Sequence, residues 1–70
     1  MNFNALKGEI VKKGKTIKAC AEEIGMASFS LERRLKGEIE FKQSEILAIA
    51  EALELTDQEI IEIFFDEEVS

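Results

Sequence analysis

Side-chain catalysis needs a nucleophile, a base and a pocket, and this chain of 70 residues offers little of the kind. It has no His and a single cysteine, Cys20, so neither a Cys–His pair nor an internal disulfide can form. Four Cys or His ligands for a structural zinc are missing, and so is a glycine-rich loop for phosphates. Acid–base work by the 15 Asp and Glu would require carboxylates converging in a pocket, which one thin domain hardly provides. The expectation is a non-enzyme with no metal and no cofactor. Hydrogen bonding and charge remain, and both concentrate in the run Ser28-Phe29-Ser30-Leu31-Glu32-Arg33-Arg34-Leu35-Lys36. An Arg33 guanidinium can bond guanine O6 and N7 together, or simply pair with Glu32 or Glu38 in solvent. Ser28 and Ser30 can bond bases or phosphates, although Ser28 is also the expected cap of its helix. Phe29 can touch a thymine methyl, or equally centre a contact with another protein.

The overall charge of −6 argues against nucleic acid until its distribution is read. Residues 1–42 hold nine bases against six acids, a net +3, whereas residues 43–70 hold nine acids and no base, a net −9. One end can approach phosphates and the other repels them; the plainer reading is an acidic solubilising tail on a neutral domain. Lys15, Lys18, Arg34 and Lys36 suit phosphates, and so does Ser30, with simple solvation the alternative for each lysine. No apolar run is long enough to span a membrane and no signal peptide is evident, so a cytoplasmic protein with no membrane partner is expected.

These residues must be positioned by helices, because the apolar spacing is helical and no stretch shows sustained strand alternation. Proline is absent. Asn4 is expected to cap a first helix, Ala5 to about Lys13, with Leu6 and Ile10 buried and Gly14 ending it. Thr16 caps a second, Ile17 to Ile24, whose inner face is Ile17, Cys20, Ala21 and Ile24. Cys20 falls on that apolar face and reads as a small buried residue rather than a reactive one. Gly25 allows a tight turn with positive φ. A third helix, capped by Ser28, buries Leu31 and Leu35 and stops at Gly37. Ala21 is small because the third helix crosses the second near it. Ile39 and Phe41 pin the following loop, where a short extended piece would lack a partner. A fourth helix runs from about Gln43 to Leu53 with an apolar face of Ile46, Leu47, Ile49, Ala50 and Leu53. Thr56-Asp57-Gln58-Glu59 is a capping box that starts a fifth, through Ile60, Ile61, Ile63, Phe64 and Phe65. Residues 66–70 are expected to fray. The whole chain, 1–70, reads as one domain.

Thr16 to Leu35, two short helices joined through Gly25 with Ala21 before it and Leu31 after, resembles the helix-turn-helix of the lambda-repressor/Cro family, also called the xenobiotic-response-element family. The stretch Ala5 to Thr16, the run Arg33-Arg34-Leu35-Lys36-Gly37-Glu38, the segment Phe41 to Ile46 and the ending Leu55 to Phe65 fit the same pattern, so the resemblance covers nearly the whole chain. It extends to small regulators of bacteriophages and prophages from Gram-positive bacteria. It implies an all-α, compact five-helix fold, binding of operator DNA in transcription regulation as a repressor or Cro-like protein, and frequent dimerisation.

On that resemblance the third helix enters the major groove of double-stranded DNA, with Ser28, Phe29, Glu32 and Arg33 reading bases. Lys15, Lys18, Ser30, Arg34 and Lys36 hold phosphates, while Ala21, Gly25, Leu31 and Leu35 keep the unit's geometry. Phe64 and Phe65 are adjacent and cannot both face one core, so one packs inside and the other is exposed or meets a second subunit; a homodimer on DNA would suit a palindromic operator. The chain departs from the family pattern in three places. Ile17 stands where Gln often bonds a phosphate, the third helix opens with Ala27-Ser28-Phe29-Ser30 rather than a polar run, and Glu32 puts an acid on the DNA face. These departures motivate an alternative: a protein-binding module on the same fold, such as an antirepressor docking a partner repressor.

Overall fold

The computed structural model describes residues 1–65, which form five helices: α1 Phe3–Lys12, α2 Ile17–Glu23, α3 Ser28–Leu35, α4 Gln43–Ala52 and α5 Asp57–Phe64. Among the described residues there is no strand, and residues 38–42 run as a loop. The expected fraying of residues 66–70 lies outside the described residues.

Each helix begins where a side chain or the preceding turn can satisfy its first amides. Thr16 accepts from the Ala19 N–H at 3.0 Å, as expected for a lone threonine cap. The capping box of α5 is present in full: Thr56 Oγ1 accepts from the Glu59 N–H at 3.1 Å, and Glu59 returns the favour to the Thr56 N–H at 2.8 Å. Two expected caps are corrected. Asn2, not Asn4, caps α1, accepting from the Ala5 N–H at 3.0 Å, and the helix starts two residues earlier than its periodicity suggests. The reason is long-range, because the Asn2 N–H donates to the Ile63 carbonyl of α5 at 2.7 Å and anchors the entry of α1 there. Ser28 does not cap α3; Ala27 occupies the cap with no side-chain bond, and Ser28 is already helical.

Four helices end in one hydrogen-bond pattern. After α1, α2, α3 and α4 the next amides fold back on the last turn, as in Gly25 N–H to Glu22 and Met26 N–H to Ala21, at 3.2 and 2.8 Å. This Schellman closure puts one residue in the left-handed region. Glycine fills that place three times, Gly25 with φ 74° among them, but after α4 it is Glu54 with φ 52°.

The core draws on every helix: Leu6 and Ile10, Cys20 and Ala21, Leu31 and Leu35, Ile49 with Leu53, and Ile63 with Phe64. Each large apolar side chain buried in this way contributes about 1.5–3 kcal/mol. Packing carries the fold, since Cys20 is unpaired and no cluster of metal ligands exists among the described residues. Phe41 folds the 38–42 loop onto this core, its ring meeting Phe64 edge-on at 6.1 Å, and Ile39 is half-buried beside it. Leu47 does not join the inner face of α4 as expected; it is 60% exposed, because among the described residues no other helix covers that side. Ile61 is also exposed. No helix among the described residues is long and apolar enough to cross a membrane.

Candidate functional site

α2 and α3 pack against each other across the turn at Gly25. Ala21 is fully buried, and Leu31 and Leu35 turn the inner stripe of α3 into the core. That burial decides what α3 shows outward. Phe29, Glu32, Arg33 and Lys36 are exposed, at spacings of three, four and seven residues from Phe29. Such spacing is one continuous helix face. Ser28 and Ser30 sit half-buried at its flank. Of the four expected base-reading residues, the structure therefore aligns Phe29, Glu32 and Arg33 on one face and sets Ser28 aside from it.

Phe29 is 67% exposed, and the Arg33 guanidinium lies over its ring, 5.8 Å from the centroid. Arg33 Nε also donates to Glu38 Oε1 at 3.4 Å, with both side chains about half exposed. Glu38 is held there by backbone, since its N–H donates to the carbonyl of Arg33 itself at 3.0 Å. The Glu38 pairing open in the sequence is thus the one formed.

The adjacent arginine has another fate. Arg34 Nε donates to Glu45 Oε1 at 2.9 Å and Arg34 Nη1 to the Ser30 carbonyl at 3.0 Å, with the Arg34 side chain only 13% exposed. Glu45 in turn accepts from the Lys42 N–H at 2.8 Å at the start of α4. Burial alone would push the Glu45 carboxyl up. The Lys42 N–H and the Arg34 guanidinium outweigh it and hold the carboxyl below its ordinary value. Arg34 was expected on phosphate; in this arrangement it fastens α3 to α4.

Among the lysines, Lys15 Nζ grips both oxygens of Glu23, at 2.8 and 2.9 Å, bridging the start and end of α2. Lys18 and Lys36 are exposed and make no ion pair among the described residues. Cys20 is fully buried, and its thiol is pushed up chiefly by burial, with Glu23 adding and Lys15 opposing. Its place on the inner face of α2 is that of a packing residue. Phe64 is corrected as a contact for a second subunit, since it is buried against Phe41; Phe65 is 62% exposed and lies four residues from exposed Ile61 on α5.

Sequence reasoning missed the carboxylates that occupy the cations. Lys15–Glu23 and Arg34–Glu45 are 8 and 11 residues apart, spacings that no single helix brings together, so only the tertiary fold reveals them.

Acids dominate α4 and α5, whereas the bases lie between α1 and the start of α4. The fold and the α3 face define a small protein, all-helical with five helices among the described residues, that presents one polar, aromatic-bearing helix face outward. The chain belongs to the family described as "Protein of unknown function (DUF739)", which it matches over residues 1–67. No curated protein and no solved structure matches it.

Proposed function

We propose that this protein is a sequence-specific binder of double-stranded DNA, a small phage-type transcriptional regulator of the Cro or repressor class, with α2 and α3 as its helix-turn-helix and α3 in the major groove. The observation that carries the reading is the exposed face of α3. Phe29, Glu32, Arg33 and Lys36 share it, and each type fits groove chemistry: a thymine methyl, a cytosine amino group, guanine O6 and N7, and a phosphate. The resemblance of residues 16–35 to lambda-repressor/Cro domains supports the same assignment. Lys18, exposed on α2 and without an ion pair among the described residues, is a cation for the backbone. Exposed Phe65 and Ile61 on α5 support a homodimer, whose two-fold axis would match a palindromic operator.

The test is a two-dimensional amide NMR titration with a mixed-sequence duplex at low and at higher salt. Shifts at Ser28 to Lys36 and around Lys18 that fade with salt are expected. An operator is then selected from a random pool, and Arg33→Ala should cost about 1–3 kcal/mol on it if the contact is bidentate to guanine. A folded spectrum that does not move would overturn the reading. It would turn attention to a second one, favoured by the 67% exposure of Phe29: a protein-docking face that grips a partner repressor. In that case Phe29→Ala abolishes a protein complex and leaves the fold intact.

A further inference from the structure

We infer that Glu23 and Glu38 act as built-in competitors for phosphate, holding Lys15 and Arg33 off the DNA backbone so that mixed-sequence DNA is gripped through fewer cations than the face carries. The inference rests on the DNA-binding reading and deepens it.

Three ion pairs border the α2–α3 unit, and they differ in exposure. Arg34–Glu45 is closed, with side chains 13% and 16% exposed. Lys15–Glu23 and Arg33–Glu38 are open, with side chains 25% and 43%, and 45% and 51%, exposed. A largely covered pair belongs to the fold; an open pair is one that an outside anion can exchange. Both carboxylates are nonetheless set in place beforehand. The Glu38 backbone is bonded to the Arg33 carbonyl at 3.0 Å, and Glu23 lies in the last turn of α2. Lys15 is held by its own N–H on the Ile10 carbonyl at 3.0 Å. Ends fixed in this way give each carboxylate a high effective concentration at its cation. A phosphate must displace it before counting as a contact.

The geometry at Arg33 adds selectivity. Glu38 takes Nε, and a guanidinium carries five N–H donors, so the terminal nitrogens remain for a bidentate acceptor. Guanine offers O6 and N7 together, which a carboxylate on Nε does not block. Glu38 therefore steadies Arg33 for a base while shielding it from the anonymous backbone. Glu23 has only the shielding role, because its lysine is a point charge with both carboxylate oxygens on it.

The number of phosphates neutralised is read directly from salt dependence, since log affinity falls with log salt by about 0.9 per phosphate on duplex DNA. The probe is a mixed-sequence duplex, titrated across a salt series with the whole chain, each variant first checked for native helicity. Glu23→Gln and Glu38→Gln should each steepen the slope by about 0.9, and the double variant by about 1.8. Glu51→Gln, which removes the same charge from an exposed position on α4, should leave the slope as in the parent. Lys15→Gln should leave the parent slope unchanged, yet cancel the gain in the Glu23→Gln background. If Glu23→Gln and Glu38→Gln merely track Glu51→Gln, the inference is overturned and the DNA reading stands. If parent and folded variants alike fail to bind at low salt, the DNA reading falls and takes the inference with it.

Discussion

Arg34→Ala removes two hydrogen bonds in a single step, one to Glu45 at 2.9 Å and one to the Ser30 carbonyl at 3.0 Å. Bonds to a charged group contribute about 1.5–3 kcal/mol where water does not replace them. Here the two side chains are 13% and 16% exposed, so the discount for surface pairs is small. The Ser30 carbonyl keeps its helical partner and adds little, which brings the expected loss to about 2–3 kcal/mol. In a domain of this size that lowers the melting temperature by roughly 8–24 °C. The assay is urea and thermal unfolding followed by far-ultraviolet circular dichroism, run as a double-mutant cycle with Glu45→Gln. A coupling above about 1 kcal/mol is expected for groups in direct contact. A loss in Arg34→Ala below about 0.5 kcal/mol, or one that persists undiminished in the Glu45→Gln background, would refute the assignment.

The same pair sets a pH signature. Burial raises the Glu45 carboxyl, but its bonds to the Lys42 N–H and to Arg34 lower it more, so the folded value lies below the ordinary 4.5. A depressed carboxyl stabilises the folded state in full above its unfolded value, and that stability drains away as pH falls through the folded value. The parent should therefore lose stability on acidification below about pH 4.5, and Arg34→Ala should show a flatter acid limb. An acid limb unchanged by the substitution would assign the pH dependence to other carboxyls.

Glu54→Gly should stabilise the protein by about 1 kcal/mol and raise its melting temperature by roughly 4–8 °C, since it relieves a φ of 52° at the close of α4. Glu54→Ala should not, because it keeps the Cβ; equal gains from both would point to charge instead. Cys20 should resist thiol-labelling reagents in the folded protein and react only on unfolding, given its full burial and raised pKa; prompt labelling in native buffer contradicts the packing described. Phe65→Ser should leave melting nearly unchanged and abolish any dimer detected by sedimentation, because the ring is 62% exposed in the single chain. A dimer that survives the substitution places its contact elsewhere.

Helix content and the turns were legible because they depend on neighbours in sequence. The stripes Leu6–Ile10 and Leu31–Leu35, the Thr16 and Thr56 caps and the glycine at the α2–α3 turn all occur as the local pattern predicts. What was not legible depends on partners far along the chain. Asn2 and Asn4 carry the same cap-forming amide, and only the Ile63 carbonyl chooses between them. Ser28 is a better cap than Ala27 by type, but the turn that closes α2 through Met26 fixes where α3 begins. Leu47 satisfies the helical period and still faces solvent, because a period gives a direction and not a neighbour. At the site, residue types identified the α3 stretch, and the fold then divided it into an outward face and a structural arginine.

That division bears on which part of DNA the face would meet. Arg33 and Arg34 are consecutive, so a helix turns them about 100° apart, and one fastens α4 while the other stays outward. The outward face keeps two cations, Arg33 and Lys36, with Glu32 at its edge and an aromatic ring at one end. A surface built only to hold phosphate gains nothing from a carboxylate there, since Glu32 would repel the backbone. In a major groove the same carboxylate can accept from the N4 amino group of cytosine, beside an arginine suited to guanine. Phe29 likewise contributes nothing to a phosphate, but it can meet a thymine methyl. On the DNA reading, the acid and the ring, which look like objections to nucleic acid when charge is counted, would be the features that separate base reading from simple attraction. Modest affinity for arbitrary sequence and a larger preference for one operator would both follow from this composition.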